Sequence, residues 1–238
     1  MAAQRTRGAP RAVLLDAMGT LITFEPPAPR LRAALRDRLG VDVGEAAAAR
    51  AMRLEIAHYR AHLHSGGDAA GLAALRRASA EAMRPALDAA ADAPGELLLE
   101  ALLAALRFRA FPEVPGVLTA LRARGTRLVV ASNWDCSLGD RLEEVGLGGC
   151  FDGVVISAVE GVAKPDPRLF ARALALAGVD PEETVHVGDS PEADVAGALA
   201  AGVAPVLVDR AGERPRVPDG VPVLDDLSEL AALLFEGR

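Results

Sequence analysis

The stretch Val13-Leu14-Leu15-Asp16-Ala17-Met18-Gly19-Thr20-Leu21 decides the fold, because an apolar run ends there in an aspartate that a glycine follows. Continuous apolar residues suit a strand that is covered on both faces of a sheet. Gly19 permits a sharp turn, so we expect Asp16 at the carboxyl end of a buried strand. In open α/β sheets, ligands bind at that end of the strands.

The composition of the 238-residue chain limits the classes of function open to it. A formal net charge of -7 gives no basic surface for nucleic acid or for an anionic membrane. The longest apolar runs fall far short of a bilayer span. The two cysteines, Cys136 and Cys150, indicate neither a disulfide framework nor a metal site, which favours a reducing cytoplasm.

Periodicity separates a helical region from the rest of the chain. Residues 25–110 show four stretches with helical spacing and almost no strand signal, beginning with a leucine stripe that Gly40 ends. The third of these helices is expected over residues 70–90, with a bend at Pro85. We therefore predict an all-helical domain at residues 25–110.

From Pro112 onward, apolar strands alternate with helices, and one of these helices is expected over residues 192–201. This alternation is typical of a doubly wound parallel sheet. The sheet would start with the strand before Asp16. We thus predict an α/β core domain formed by residues 1–24 and 111–238, into which the helical domain is inserted.

Polar residues stand where several strands of this sheet should end. They include Asp16, Ser132-Asn133 and Asp189 with Asp194 nearby, while Lys164, the only lysine in the chain, lies in a loop. Parallel strands end at one rim, so Asp16 can attack a phosphate ester there while Ser132 and Lys164 hold the phosphoryl group. Asp189 and Asp194 add oxygen ligands for a hard divalent cation such as magnesium.

Four motifs in sequence order give the chain a resemblance to the haloacid dehalogenase (HAD) superfamily, in the subgroup with a helical cap after the first strand. The motifs are Asp16-Ala17-Met18-Gly19-Thr20-Leu21, Val130-Ala131-Ser132-Asn133, Lys164-Pro165-Asp166-Pro167 and Val187-Gly188-Asp189-Ser190-Pro191-Glu192-Ala193-Asp194. Further likeness to the members called "haloacid dehalogenase-like hydrolase domain-containing" comes from Trp134-Asp135 and Arg168. The resemblance implies a Rossmann-like core, hydrolase activity and a cap formed by residues 25–110.

The resemblance also implies a set of magnesium ligands. Asp16 would be both the nucleophile and a ligand. The backbone carbonyl of Met18 and the carboxylate of Asp189 would be further ligands, and Asp194 would bind directly or through water. Magnesium is accordingly the expected cofactor.

A second set of residues would hold the substrate. Ser132 and Lys164 would bind the phosphoryl group with help from the N–H of Asn133, and Thr20 is a further candidate contact. The expected substrate is a small phosphorylated metabolite. We expect no nucleic-acid partner and no membrane partner, and either a monomer or a homodimer.

Residue 18 departs from the pattern of the phosphatases that the chain resembles. They carry a second aspartate two residues after the nucleophile, which protonates the leaving alcohol and then activates water; Met18 can do neither. Three hypotheses stay open: a magnesium-dependent phosphatase that Met18 weakens, a metal-independent 2-haloacid dehalogenase, and a binding module that holds an anion or metal but catalyses little. Halide needs no proton to leave, but Gly188-Asp189 differs from the serine and asparagine of the dehalogenases.

Histidines are expected to have structural roles. His186 lies inside an apolar strand, which favours a core or rim histidine over a catalyst. His58 and His62 share the i, i+4 spacing of metal ligands, but without an obvious further ligand we favour a solvated helix end. Candidate substrate contacts on the same helix are Arg53, Tyr59 and Arg60.

Overall fold

A computed structural model describes residues 8–236, which form two compact units. One unit contains residues 8–23 and 110–236, and the other contains Phe24–Arg109. Residues 1–7 and 237–238 of the predicted core domain lie outside the described residues. That the two units act as core and cap stays a prediction.

The strands form two sheets. In chain order they are β1 (Ala12–Leu15), β2 (Ile22–Phe24), β3 (Phe108–Ala110), β4 (Arg127–Ser132), β5 (Gly153–Ile156), β6 (Thr184–Gly188), β7 (Ala204–Val208) and β8 (Val223–Leu224). Six of them make a sheet in the order β5-β4-β1-β6-β7-β8, in which every neighbouring pair is parallel. The predicted doubly wound parallel sheet is confirmed. The other two, β2 and β3, pair with each other.

Four helices make up most of the second unit. They are α1 (Pro27–Leu39), α2 (Glu45–His62), α3 (Ala69–Ala82) and α4 (Gly95–Ala105). Their apolar faces share one core, to which Leu31 and Leu35 of α1 and Leu98 and Leu102 of α4 contribute. Gly40 ends α1, as the sequence predicted, and the structure shows that it does so in a left-handed conformation.

Six further helices belong to the α/β unit: α5 (Val114–Ala123), α6 (Leu138–Glu144), α7 (Ser157–Glu160), α8 (Pro167–Ala177), α9 (Gly197–Ala200) and α10 (Leu230–Phe235). On one side of the sheet, Leu14 of β1 and Val129 of β4 pack against Leu169 and Phe170 of α8. All four residues of β1 are buried, because the strand lies at the centre of the sheet and is covered on both faces. No helix within residues 8–236 is both long enough and apolar enough to span a bilayer.

The strand register brings the candidate residues to one rim. Leu15 pairs with Val130 on one side and with Val187 on the other, so Asp16 emerges beside the ends of β4 and β6. The chain visits β4 and β5 on one side of β1 before it crosses to β6, β7 and β8 on the other. Such a reversal of strand order opens a crevice at the carboxyl ends, where ligands bind in this architecture.

Three local features differ from what the sequence analysis anticipated. The strands β2 and β3 were not anticipated, because three residues are too few to show a period. The helix expected over 70–90 ends at Ala82, and Pro85, which lacks an N–H, lies in a short 3-10 turn. The helix expected over 192–201 begins as a π-helical segment, Pro191–Ala196, and becomes α-helical only in α9.

Candidate active site

Asp16 lies directly after β1 and is buried. Its Oδ1 accepts hydrogen bonds from Ser132 Oγ at 3.0 Å and from Lys164 Nζ at 2.5 Å. Its backbone N–H donates to the carbonyl of Val187, which extends the pairing of β1 with β6 by one residue. Both of these side-chain bonds go to Oδ1, and neither goes to Oδ2.

Lys164 lies at the centre of the site, with a side chain only 2% exposed. Its Nζ also donates to Asp194 Oδ1 at 2.6 Å, so one ammonium group joins two carboxylates. The side-chain amide of Asn133 holds the backbone of Lys164 at two points, accepting from its N–H at 2.8 Å and donating to its carbonyl at 3.0 Å. Asn133 therefore fixes the loop that delivers the lysine.

Asp194 projects from the π-helical segment into space that a glycine leaves open. A Cβ on Gly188 would lie 2.1 Å from Asp194 Cγ, so any larger residue there would displace the carboxylate. Asp194 Oδ2 accepts from the N–H of Ser190 at 3.0 Å, and Oδ1 accepts from His186 Nε2 at 2.8 Å as well as from Lys164. His186 is fully buried beside the ring of Phe170, and its Nδ1 has no hydrogen-bond partner among residues 8–236.

Asp189 is the exposed member of the cluster, next to the turn that follows Asp16. Gly19 has φ +80, and a Cβ there would lie 2.0 Å from Asp189 Oδ2. A side chain at residue 19 would thus push Asp189 away, in addition to the strain of a positive φ. Oxygens of Asp16, Asp189 and Asp194 come within 4.8 Å of one another, so the three carboxylates can share one cation.

The charges of this cluster shift the pKa values of its carboxyl groups. Burial raises the pKa of Asp16, with a further contribution from the charge of Asp194, and these effects exceed the opposing effect of Lys164. Burial alone would also raise the pKa of Asp194, but Lys164 and His186 hold it well below its usual range. Desolvation at the rim, then repulsion by Asp16 and Asp194, raises the pKa of Asp189 to about 7. The cluster is therefore short of positive charge.

The donor set of the cluster fits magnesium. All three side chains offer carboxylate oxygens, which hard divalent cations prefer, and no sulfur or nitrogen atom belongs to this set. A divalent cation would offset the excess negative charge that Lys164 leaves, and it would lower the pKa of Asp189. The predicted ligands Asp16, Asp189 and Asp194 are thus brought together. Their roles stay predictions.

Met18 and Thr20 occupy the turn between Asp16 and β2. Met18 is half-buried and makes an isolated bridge to Ile22, and it offers no proton donor or acceptor beyond its backbone. Thr20 is fully buried, and its hydroxyl oxygen has no hydrogen-bond partner among the residues described. Its role as a substrate contact remains a prediction, as does the ligand role of the Met18 carbonyl.

Two features of the site were not predicted from the sequence. The side chain of Asn133 binds the backbone of Lys164, whereas only its N–H was assigned a role. His186 is a core histidine, as expected, but its contact with Asp194 makes it part of the charged network. The sequence held one signal for this contact, since His186 directly precedes the motif that carries Asp194 and lies in the strand that leads into it.

Comparison with protein families identifies one match over most of the chain. The family model, described as a haloacid dehalogenase-like hydrolase, matches residues 10–202. A phosphoserine phosphatase of Thermus thermophilus is 42% identical over 153 residues, which are 62% of this chain and 61% of that protein. The haloacid dehalogenase-like hydrolase domain-containing protein 3 of Bos taurus is 46% identical over 120 residues, 49% of this chain and 47% of that protein. The matched stretch spans less than two thirds of either relative.

Solved structures of two enzyme classes are similar to the chain. A HAD phosphatase from Thermococcus onnurineus shares 27% identity with a TM-score of 0.64, over 94% of this chain and 97% of that one. A 2-haloacid dehalogenase from Pseudomonas syringae shares 29% identity with a TM-score of 0.62, over the same shares of the two chains. Likeness of fold therefore does not separate phosphatase from dehalogenase, and the site residues must do so.

Proposed function

Because the chain belongs to the haloacid dehalogenase-like hydrolases, we propose that it is a magnesium-dependent phosphatase of small phosphate esters, with Asp16 as the nucleophile. One observation carries the proposal: Lys164 joins the carboxylates of Asp16 and Asp194 in a buried cluster that Asp189 completes. Such a cluster has oxygen ligands for a cation and a cationic group for a phosphate. The phosphoserine phosphatase among its relatives supports the same class of substrate.

The chemistry divides into two steps on Asp16. A carboxylate oxygen attacks phosphorus, the bond from phosphorus to the ester oxygen breaks, and the leaving alcohol takes a proton from solvent. Water then attacks phosphorus of the aspartyl-phosphate, which frees inorganic phosphate and restores the carboxylate. Ser132 and Lys164 bond Oδ1, which leaves Oδ2 as the oxygen for attack, and their donors can turn to the phosphoryl oxygens.

Magnesium would be held by Asp16, Asp189, Asp194 and the backbone carbonyl of Met18. When bound, it supplies positive charge that offsets repulsion between the carboxylates and the phosphoryl group. A ligand of magnesium must be ionised. The carboxylate of Asp194 stays ionised because Lys164 and His186 hold its pKa low against the effect of burial. Ser190 and Gly188 fix its orientation.

Met18 implies a particular substrate preference. Without a carboxyl group at residue 18, the first step has no side chain from this turn to protonate the leaving oxygen. Esters whose leaving groups are weak bases, such as aryl phosphates, should therefore react much faster than alkyl phosphates. We propose that turnover depends steeply on the pKa of the leaving alcohol.

A panel of phosphate monoesters, assayed for phosphate release with magnesium and with a chelator, tests the proposal. We expect magnesium-dependent release that is absent in Asp16→Asn, a variant that keeps the size of the side chain. Arg11→Gln serves as a control. The ion pair between Arg11 and Glu183 is exposed and lies where β1 and β6 begin, at the opposite end of the sheet from the candidate site. Equal release by wild type and Asp16→Asn would refute the proposal.

The second candidate is a 2-haloacid dehalogenase, which Met18 favours because halide leaves without a proton. In that reaction Asp16 would displace halide from carbon, and water would hydrolyse the resulting ester. The acidic pair Asp189 and Asp194 argues against it, since a halide displacement has no use for a cation site. Halide release that persists with chelator would favour this candidate over the phosphatase.

Several finer assignments belong to the proposal. They are a cytoplasmic location, a monomeric or homodimeric state, a small-molecule partner, and the action of residues 25–110 as a cap that selects the substrate. A third hypothesis, a site that binds without turnover, predicts magnesium-dependent stabilisation by phosphate but no release from any ester.

A further inference from the structure

Arg210 binds the turn that follows the candidate nucleophile, although it belongs to no motif. It lies just after β7, at the rim of the sheet that carries the site. Its Nε donates to the carbonyl of Gly19 at 2.9 Å, and its Nη2 donates to the carbonyl of Thr20 at 2.8 Å. One guanidinium thus holds two successive carbonyls.

Two further contacts fix the guanidinium itself. Nη2 also donates to Glu113 Oε1 at 2.6 Å, in an ion pair whose side chains are 18% and 16% exposed. Arg210 Cζ lies 3.5 Å from the centroid of the Phe111 ring, so the planar group is stacked on an aromatic face. A partly buried arginine with these contacts has little freedom to leave the turn.

The loop that carries Arg210 is also braced. The carboxylate of Asp209 is buried and accepts from the backbone N–H groups of Glu213 at 3.1 Å and Arg214 at 2.7 Å. The N–H of Asp209 donates to the carbonyl of Leu224 in β8. These bonds fix the chain on both sides of Arg210, so the position of its side chain is set by the α/β unit.

The turn depends on Arg210 because the hydrogen bonds within the turn do not reach the carbonyls of Gly19 and Thr20. The N–H of Gly19 donates to the carbonyl of Ile22, and the N–H groups of Leu21 and Ile22 both donate to the carbonyl of Ala17. The carbonyls of Gly19 and Thr20 take their donors from Arg210 instead. Without that guanidinium, two buried or half-buried carbonyls lose their partners, and the peptides around them are free to rotate.

We infer that Arg210 is a positioning residue, which holds the turn of residues 17–22 in the conformation that the site requires. Gly19 lies directly against Asp189, and the peptide before it carries the Met18 carbonyl that we propose as a magnesium ligand. Movement of the turn would therefore disturb both ligands together. The effect of Arg210 on magnesium binding and on catalysis rests on the proposed function, whereas its effect on the conformation of the turn does not.

Lysine cannot reproduce this role. Arginine presents several N–H groups in a rigid plane, which suits two carbonyls and a carboxylate at once, whereas an ammonium group is a compact point charge. We expect Arg210→Lys to keep part of the attraction to Glu113 and to lose the paired contacts with Gly19 and Thr20. Arg210→Gln should lose both.

The test compares Arg210→Gln and Arg210→Lys with Arg122→Gln. Arg122 is a matched control, since it also binds a backbone carbonyl, that of Cys150, and a carboxylate, that of Asp152, but at the opposite end of the sheet where β4 and β5 begin. Hydrogen exchange of the amides of Gly19, Leu21 and Ile22 reports directly on the turn. Isothermal titration with magnesium reports on the ligands.

We expect faster exchange in the turn and magnesium affinity weakened about 10- to 100-fold in Arg210→Gln. Arg210→Lys should fall between Arg210→Gln and wild type, and Arg122→Gln should match wild type in both measurements. If Arg210→Gln does not fold, Glu113→Gln takes its place, because it loosens Arg210 while leaving the guanidinium. Unchanged exchange in a folded Arg210 variant would overturn the inference, whether or not the protein hydrolyses phosphate esters.

Altered exchange with unchanged magnesium affinity would also count against the positioning of ligands, and would leave Arg210 a purely structural residue. If wild type releases no phosphate from any ester, the proposed function fails, but both binding and exchange can still be measured. Where activity is present, Arg210→Gln should lower kcat at limiting magnesium, and the change in KM should be smaller than the change in kcat. Saturating magnesium should recover part of that loss.

Discussion

Replacing Lys164 with methionine would remove the only lysine from a buried cluster of carboxylates while keeping a side chain of similar length. The Nζ lies 2.5 Å from Asp16 Oδ1 and 2.6 Å from Asp194 Oδ1, and the lysine side chain is 2% exposed. At an effective dielectric constant of about 20, each contact is worth about 6 kcal/mol before desolvation is subtracted. Removing one partner from a buried ion pair costs about 3–5 kcal/mol in net terms, and we expect a loss of that size.

The loss should depend on pH. Without Lys164 the two buried carboxylates lack their cation, so the pKa of Asp16, which burial already raises in wild type, rises further, and the pKa of Asp194 rises above its unfolded value. The variant then loses stability as pH increases through those raised values. In wild type, Lys164 and His186 keep the pKa of Asp194 low despite burial, which contributes stability above the unfolded pKa that is lost only in acid. The difference between the proteins should therefore be small in acid and grow as pH rises above the unfolded carboxyl pKa of about 4.

Urea unfolding with a chelator present, followed through the fluorescence of Trp134, measures this difference. Trp134 is the only tryptophan, is 6% exposed and belongs to the α/β unit, so its signal reports on that unit. Arg11→Gln is the control, because its exposed ion pair with Glu183 should contribute at most about 1 kcal/mol at any pH. A loss below about 1 kcal/mol in Lys164→Met, or one that does not change with pH, would refute the reasoning.

Four further outcomes follow from single positions. Met18→Asp should raise turnover of alkyl phosphates about 10²- to 10⁴-fold by supplying an acid–base group, as measured by phosphate release; an equal gain in Met18→Asn would contradict this. Glu55 is buried and desolvation raises its pKa to about 7, so wild type loses about 3 kcal/mol of stability as pH rises from about 4.5 to 7. Glu55→Gln should escape this loss in urea unfolding, and parallel pH profiles for the two proteins would contradict the prediction. Asp189, the proposed magnesium ligand, has a pKa raised to about 7 and must lose its proton when magnesium binds, so calorimetric affinity should fall about tenfold per pH unit below about pH 7; a flat profile would disprove the ligand role. Gly19→Ala should weaken magnesium binding at least about tenfold by displacing Asp189. Gly116→Ala, which has open space around its Cβ, should bind magnesium as wild type does. Equal magnesium affinities in the two variants would contradict the inference that a side chain at residue 19 displaces Asp189.

The sequence was sufficient for the sheet and for the position of most site residues. Apolar runs such as Val13 to Leu15 have few alternatives to a covered strand, and the parallel arrangement follows from their alternation with helices. Once the strands are parallel, their polar ends must share a rim. Asp16, Ser132 and Lys164 lie together for this reason, although 148 residues separate the first from the last.

Features that depend on long-range packing left weaker signals. Residues 22–24 and 108–110 pair with each other although the four helices α1 to α4 lie between them in the sequence. Neither segment alone has a strand pattern. The π-helical segment arises where the N–H of Val195 reaches the carbonyl of Ser190, a bond one residue longer than in an α-helix. Arg210 follows β7 without any motif, and its partners Gly19 and Thr20 lie about 190 residues earlier. Its role becomes visible only in the folded structure.

Asp16 is the group that we propose receives the phosphoryl. A single turnover with an aryl phosphate and magnesium, stopped with acid and analysed by peptide mass spectrometry, tests it most directly. We predict a phosphoryl group on the peptide that contains Asp16, formed before phosphate is released and absent from Asp16→Asn. Release of phosphate at the same rate in Asp16→Asn, with no modified peptide in either protein, would contradict the claim.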